Sequence, residues 1–202
     1  MMSRVESTPE RQRLLGLVVD LILRDGVIDL SLSAISRAIG SNNRMLLYYF
    51  GSKQELIGEA ALVAFDSFPR LRDMFARLSE PGDLEQRLLT AWDDLADPDS
   101  RPYVRLFFQR FGIAMRDPDE WGDFIERVGR EWIEEVRDTL LTDGFSPEDA
   151  LSGATRIIAL FRGLQFLLLS GVDPAQLRAA YRDAIRDLSG AAALARASVP
   201  SA

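Results

Sequence analysis

What most constrains this chain is its punctuation: residues that start helices and residues that end them recur along its length, and nothing between them alternates as a strand would. Thr8-Pro9 pairs an N-cap with proline at a first helical position, and Leu14, Val18, Leu21 and Ile22 then share one face as far as Gly26. Ser31 can cap a short second helix with Leu32, Ile35 and Ile39 turned inward, and Gly40 supplies a tight turn into Ser41-Asn42, which can cap a third. That third helix, about 43–50, is stopped by Gly51. Ser52-Lys53-Gln54-Glu55 then reads as a capping box opening a long fourth helix. Beyond Pro69 the same logic predicts helices over 83–96, 100–115, 117–142, 146–170 and 173–189, with an Ala-rich, frayed tail at 190–202. The expected fold class is therefore all-α, without internal repeats or a low-complexity linker.

Composition removes most catalytic chemistry. Among 202 residues there is no cysteine and no histidine, so thiol nucleophiles, histidine bases, Ser-His-Asp triads and the commonest zinc ligands are all missing. The 31 Asp and Glu residues, spread over helices, read as solvated faces rather than as a site. No enzyme, no metal and no cofactor are expected. The net charge of -7 is unevenly placed: residues 1–60 hold seven basic and seven acidic side chains, so the rest of the chain carries all of the excess. A neutral end beside an acidic body confines any contact with nucleic acid to the N-terminal end. No basic start followed by an apolar stretch marks a signal peptide, and the most apolar run, 157–169, is interrupted by Arg162 and shorter than the ~18 residues of a spanning helix. A cytoplasmic protein with no membrane partner is expected.

Residues 31–50 read as helix, glycine turn, short helix, a unit suited to the major groove of DNA. The string from Leu46 through Leu47-Tyr48-Tyr49-Phe50-Gly51-Ser52-Lys53-Gln54-Glu55 to Leu56, with Ile35, Ala38 and Gly40 before it, resembles the signature of the tetracycline repressor (TetR) family of transcription regulators. That resemblance implies a DNA-binding head of three helices at 1–52 and a helical ligand-binding and dimerisation body at 53–202, with operator DNA, a small-molecule effector and a second subunit as partners. Four positions, in three places, depart from the family pattern. Arg44-Met45 stand where a small residue and Thr or Ser are usual, Leu47 replaces a tyrosine that often reaches phosphate, and Tyr49 replaces a histidine. The choice of bases therefore does not carry over.

Physical reading of the head gives its own candidates. Asn42, Asn43 and Arg44 open the third helix, where arginine can donate to guanine and asparagine can match adenine, and Met45 can touch a thymine methyl. Lys53 is the sole lysine beside 23 arginines; it reads either as a phosphate contact or as a solvated lysine. Ser33 and Tyr49 stand open between phosphate contacts and plain surface, while Tyr48 and Phe50 are expected in packing.

In the remainder, Trp92, Tyr103, Phe107, Phe108, Phe111, Met115, Trp121, Phe124 and Trp132 make an aromatic middle segment. It is expected to form the core and, somewhere within it, a pocket for an apolar or aromatic effector, with Trp92, Phe107, Phe108, Phe111, Met115, Trp132 and Arg162 as candidates. Arg162 is placed toward an anionic ligand or an acidic neighbour such as Asp93 or Asp94. The run 157–169, apolar around nearly the whole helix, predicts burial on all sides and hence a homodimer through the last two helices, with Leu168 in or beside the seam. The competing reading is a helical ligand-binding or scaffolding protein whose head does not bind DNA.

Overall fold

A computed structural model describes residues 8–25, 29–116 and 124–197. Its elements are α1 (Pro9–Asp25), α2 (Leu32–Ala38), α3 (Asn43–Phe50), α4 (Lys53–Asp66), α5 (Pro69–Arg72), α6 (Met74–Leu78), α7 (Leu84–Ala96), α8 (Arg101–Arg116), α9 (Trp132–Thr142), α10 (Pro147–Leu169) and α11 (Pro174–Ala197). Every described element is helical. A 3-10 turn at Pro98–Ser100 precedes α8 and one π-helical turn at Arg127–Glu131 leads into α9. Gly26, Asp117-Pro118 and Trp121, which the sequence reading used as a helix end, a helix start and a member of the aromatic middle segment, lie outside the described residues.

The capping chemistry of the sequence is realised locally. Side-chain oxygens of Ser31, Asn42, Ser52, Asp83 and Ser146 accept from the backbone amide three residues on, and Ser52 with Glu55 forms the complete capping box. Gly40 and Gly51 take φ of 67° and 75°, a region closed to most side chains, and these two turns set the short lengths of α2 and α3. Ser100 differs from expectation. Asp97 caps the 3-10 turn, and the Ser100 hydroxyl donates to the carbonyl of Asp94 at 2.7 Å. The last helix runs to Ala197, past the frayed start expected at 190, because alanine costs least of all residues in a helix.

The described residues fall into two compact units, one drawn from 1–69 and 102–122, the other from 70–101 and 123–202. In the first, α4 lies on α1 through Leu56, Ile57, Ala60 and Ala64, all buried against Leu14, Val18 and Ile22 of a fully apolar stripe. The Tyr103 ring of α8 adds contacts with Phe65 and Phe68 at 4.9 and 5.6 Å. Helix α4 thus belongs to the same compact unit as α1, on which it packs.

The second unit is built around Trp92, whose ring packs edge-on to Phe161 and tilted against Tyr181 at 5.8 and 5.7 Å. Helix α10 is its central strut, packed on α7, α9 and α11. It is 23 residues long and contains an 18-residue window of mean hydropathy 1.2, enough by length and composition to cross a membrane. The apolar run 157–169 is the later part of this helix, which begins at Pro147, ten residues before it, close to the start expected at 146. Its buried Ala150, Ala154, Ile157, Phe161, Leu164 and Leu168 give it the role of a core helix. Leu168 is 4 % exposed within its own unit, whereas Phe166 and Leu167 are 61 % and 41 % exposed. The outward apolar face of α10 is thus carried by Phe166 and Leu167, and Leu168 is not part of it, since helical geometry turns it 100° or 200° away from them.

Candidate functional site

The first unit presents a helix-turn-helix whose two short helices are joined through side chains. Asn43 sits at the first position of α3 and its amide donates to the Ser33 hydroxyl at 2.9 Å, while its carbonyl accepts from the Ser36 hydroxyl at 2.8 Å. Ser36, 6 % exposed, has the carbonyl of Ser33 at 3.2 Å as a second, competing acceptor for the same hydroxyl proton. These bonds fix the angle between α2 and α3 and occupy one donor and one acceptor of the Asn43 carboxamide. One N–H and one acceptor lone pair remain, so pairing of Asn43 with adenine, as expected from sequence, would have to be made by a side chain already held in that brace. Asn42 is likewise engaged, its carbonyl oxygen accepting from the Met45 amide at 3.0 Å as the cap of α3.

Recognition-helix side chains divide cleanly by burial. Leu46 and Phe50 are 1 % and 4 % exposed and anchor α3. Arg44, Leu47 and Tyr48, at i, i+3 and i+4, lie on the opposite, exposed face. Tyr48 is 66 % exposed with its ring edge-on to Tyr49 at 5.0 Å, which corrects the expectation that it packs inside. Met45 and Tyr49 are half-buried.

Arginine 11 of α1 sets the far end of α3. Its guanidinium donates to both carboxylate oxygens of Glu59, at 2.8 and 2.6 Å, and to the carbonyl of Tyr49 at 3.3 Å, and it lies 4.7 Å from the Phe50 ring centre. Lys53 opens α4 half-buried, with its Nζ 3.7 Å from Asp29, whose other oxygen accepts from Arg116 of α8 at 3.0 Å. Its charge is therefore shared with a carboxylate rather than standing alone.

Cations of the head thus sort into two groups. Arg11, Arg13, Arg24 and Lys53 face Glu59, Glu10, Asp25 and Asp29. The Arg13 guanidinium, bonded to Glu10, holds that carboxyl below its ordinary range, and Arg24 does the same to Asp25. Arg37 on α2 and Arg44 on α3 are exposed and enter no ion pair among the described residues. Both lie on the helix-turn-helix. Arg37, Leu47 and Tyr48 were not among the DNA-contact candidates drawn from sequence; the inward positions Ile35 and Leu46 carried the signal, since they turn 37, 47 and 48 outward.

The effector candidates divide between the units. In the first, Phe107, Phe108 and Phe111 form one ring cluster along α8, with centres 5.5 and 6.4 Å from Phe107; Phe111 is at the edge of exposure and Met115 is 61 % exposed. In the second, Trp92 is fully buried as core, and Trp132 meets Phe75 edge-on at 5.3 Å. Arg162 lies over the Trp132 ring at 4.0 Å and donates to Gln165 at 3.0 Å. Its expected neighbours are used elsewhere: Asp93 accepts from Arg178 at 2.6 and 2.9 Å, raising the Arg178 pKa, and Asp94 accepts from Arg77. Trp132, Phe75, Met74, Leu88, Val136 and Phe161 line an apolar cavity of about 20 Å³, room for a water-sized guest.

A braced helix-turn-helix bearing the head's uncompensated cations, on an otherwise helical chain, is the architecture of a helix-turn-helix regulator. The fold is that of the TetR-family transcriptional regulators. A Rhodococcus sp. protein described as a TetR-family regulator is similar over 90 % of this chain and 99 % of its own, with TM-score 0.65 and 18 % identity. A transcriptional regulator of Saccharomonospora viridis, solved with choline, is 26 % identical over 89 % of this chain and 97 % of its own, with TM-score 0.63. The multidrug-binding protein EbrR, solved with proflavin, is 22 % identical over 88 % of this chain and 98 % of its own, with TM-score 0.64. No family model matches the sequence, and no curated protein is similar to it.

Proposed function

We propose that this chain is a ligand-responsive, DNA-binding transcription regulator, a cytoplasmic repressor released from its operator by a small molecule, with no catalytic activity or cofactor of its own. The observation that carries this reading is that Arg37 and Arg44 alone among the described cations of the head are exposed without an ion pair, one on each helix of the helix-turn-helix. A polyanion releases counterions on meeting such cations, and a major groove accepts a helix of the length of α3. Head and sensing functions divide between residues 1–52 and 53–202 in this reading.

Dimerisation belongs to the same proposal. Exposed Phe166 and Leu167 on α10, with a groove of about 340 Å³ between α10 and α11 lined mostly by apolar side chains, among them Ile157, Leu160, Ile185 and Leu188, together with Arg156, make a largely apolar surface suited to the same surface of a second copy. The effector is read as apolar or aromatic. Support comes from the wholly apolar surface of the cavity beside Trp132, and from proflavin, a flat aromatic molecule, on EbrR. A guest larger than water must widen that cavity, so it must favour one conformation of the body over another, by ~1–3 kcal/mol if coupling is of ordinary strength.

Titration of the purified chain into duplex fragments from around its own gene tests the reading. Expected is one fragment bound in preference to competitor DNA, with affinity falling steeply as salt rises. Equal, weak binding to all fragments would favour the alternative, a helical ligand-binding protein without DNA binding.

A further inference from the structure

We propose that Leu47 reads a thymine methyl group in the major groove, beside a base contacted by Arg44, so that the preferred half-site carries a thymine recognised through its methyl alone. This rests on the DNA-binding reading above. Leu47 is 44 % exposed in a helix whose other leucine, Leu46, is 1 % exposed, and it lies between Arg44 and Tyr48 on the outward face of α3. The hydrogen-bonding residues nearest the start of that helix are engaged within the head: Asn42 caps the Met45 amide, and Asn43 braces Ser33 and Ser36. The outward face is thus reduced to a cation, an aliphatic group and a phenol.

The two exposed arginines of the helix-turn-helix, without an ion pair among the described residues, argue for duplex DNA as the occupant of this face. Leucine can neither donate nor accept, so it gains nothing from phosphate, and of the groups that base pairs present in the major groove only the C5 methyl of thymine is an apolar partner. An aliphatic group at this point of the helix therefore discriminates thymine from cytosine and from uracil by a contact that leaves every hydrogen bond of the base pair unchanged.

Duplexes bound by the full-length chain can be selected from a random pool, and each thymine of the preferred duplex then replaced in turn by deoxyuridine, which removes only the methyl. One thymine per half-site is expected to respond, with affinity falling about fourfold per methyl, the value for withdrawing one methyl-sized group from an apolar contact. Leu47→Ala, at an exposed position and hence folded by circular dichroism, should bind the thymine and uracil duplexes alike. Indifference of the unaltered protein to uracil at every position would overturn the assignment of Leu47 while leaving DNA binding intact, and so would an undiminished uracil effect in Leu47→Ala. Enrichment of no duplex at all would overturn the DNA-binding reading and this inference with it.

Discussion

Arg11 and Glu59, 48 positions apart, meet in a two-pronged ion pair that joins α1 to α4 while the same guanidinium holds the last turn of α3. Both side chains are mostly withdrawn from water, at 15 % and 33 % exposure, so the pair is shielded more than a surface bridge. One residue thereby ties three helices of the first unit together.

Glu59→Gln keeps the shape and removes the charge, and it should destabilise the first unit by about 1–2 kcal/mol. Arg11→Lys should cost a similar amount, since an ammonium cannot span both carboxylate oxygens and the Tyr49 carbonyl. Urea unfolding followed by circular dichroism measures both; a change within about 0.3 kcal/mol for either would show that the pair contributes only geometry.

Asp29, placed between Lys53 and Arg116, partly cancels the charge of both. Asp29→Asn should therefore strengthen binding to random duplex and steepen its salt dependence by roughly one unit of slope per subunit, an effect that Lys53→Ala should reverse. Arg44→Ala should instead cost ~1–3 kcal/mol on the preferred duplex and relax selection at one base pair per half-site. Fluorescence anisotropy at several salt concentrations separates these effects, and a base-specific response to Asp29→Asn would contradict the roles given.

Phe166 and Leu168, two residues apart on α10, should respond oppositely to charge. Phe166→Glu is expected to leave the chain folded and shift it to monomer in sedimentation, because the side chain is on the outward face. Leu168→Glu buries a carboxylate in the second unit and should cost several kcal/mol, on the order of 3 or more, lowering the melting temperature whatever the oligomeric state. A stable Leu168→Glu monomer would reverse the assignment.

Burial pushes the Tyr181 phenol well above its ordinary value of 10.0. The unfolded chain ionises at that ordinary value while the folded one stays neutral, so the neutral phenol's contribution is intact below about pH 10 and is lost as pH rises above it. Alkaline unfolding should accordingly begin in that range, and Tyr181→Phe should shift its onset upward. Thermal melts from pH 8 to 11.5 follow it; identical pH profiles for the two proteins would show that Tyr181 does not drive the loss.

The starts of α2, α3, α4, α7 and α10 and the position of the helix-turn-helix were legible in the sequence because caps and turns act within four residues, whereas the short α5 and α6 and the π-helical turn before α9 were not. Ser31, Asn42, Ser52, Gly40 and Gly51 each do chemically what their residue types allow, wherever the rest of the chain goes. Tertiary structure alone decided which polar groups remain for a partner. Asn43 and Lys53 look available in one dimension, yet Ser33 and Ser36 on a neighbouring helix and Asp29 before it claim them, while Arg44 keeps its charge and Leu47 and Tyr48 stay outside. The same holds in the second unit. A run as apolar as 157–169 announces burial, but whether Phe166 or Leu168 faces its own core depends on where α7, α9 and α11 lie around the helix, and hydrophobicity, having no direction, cannot encode that.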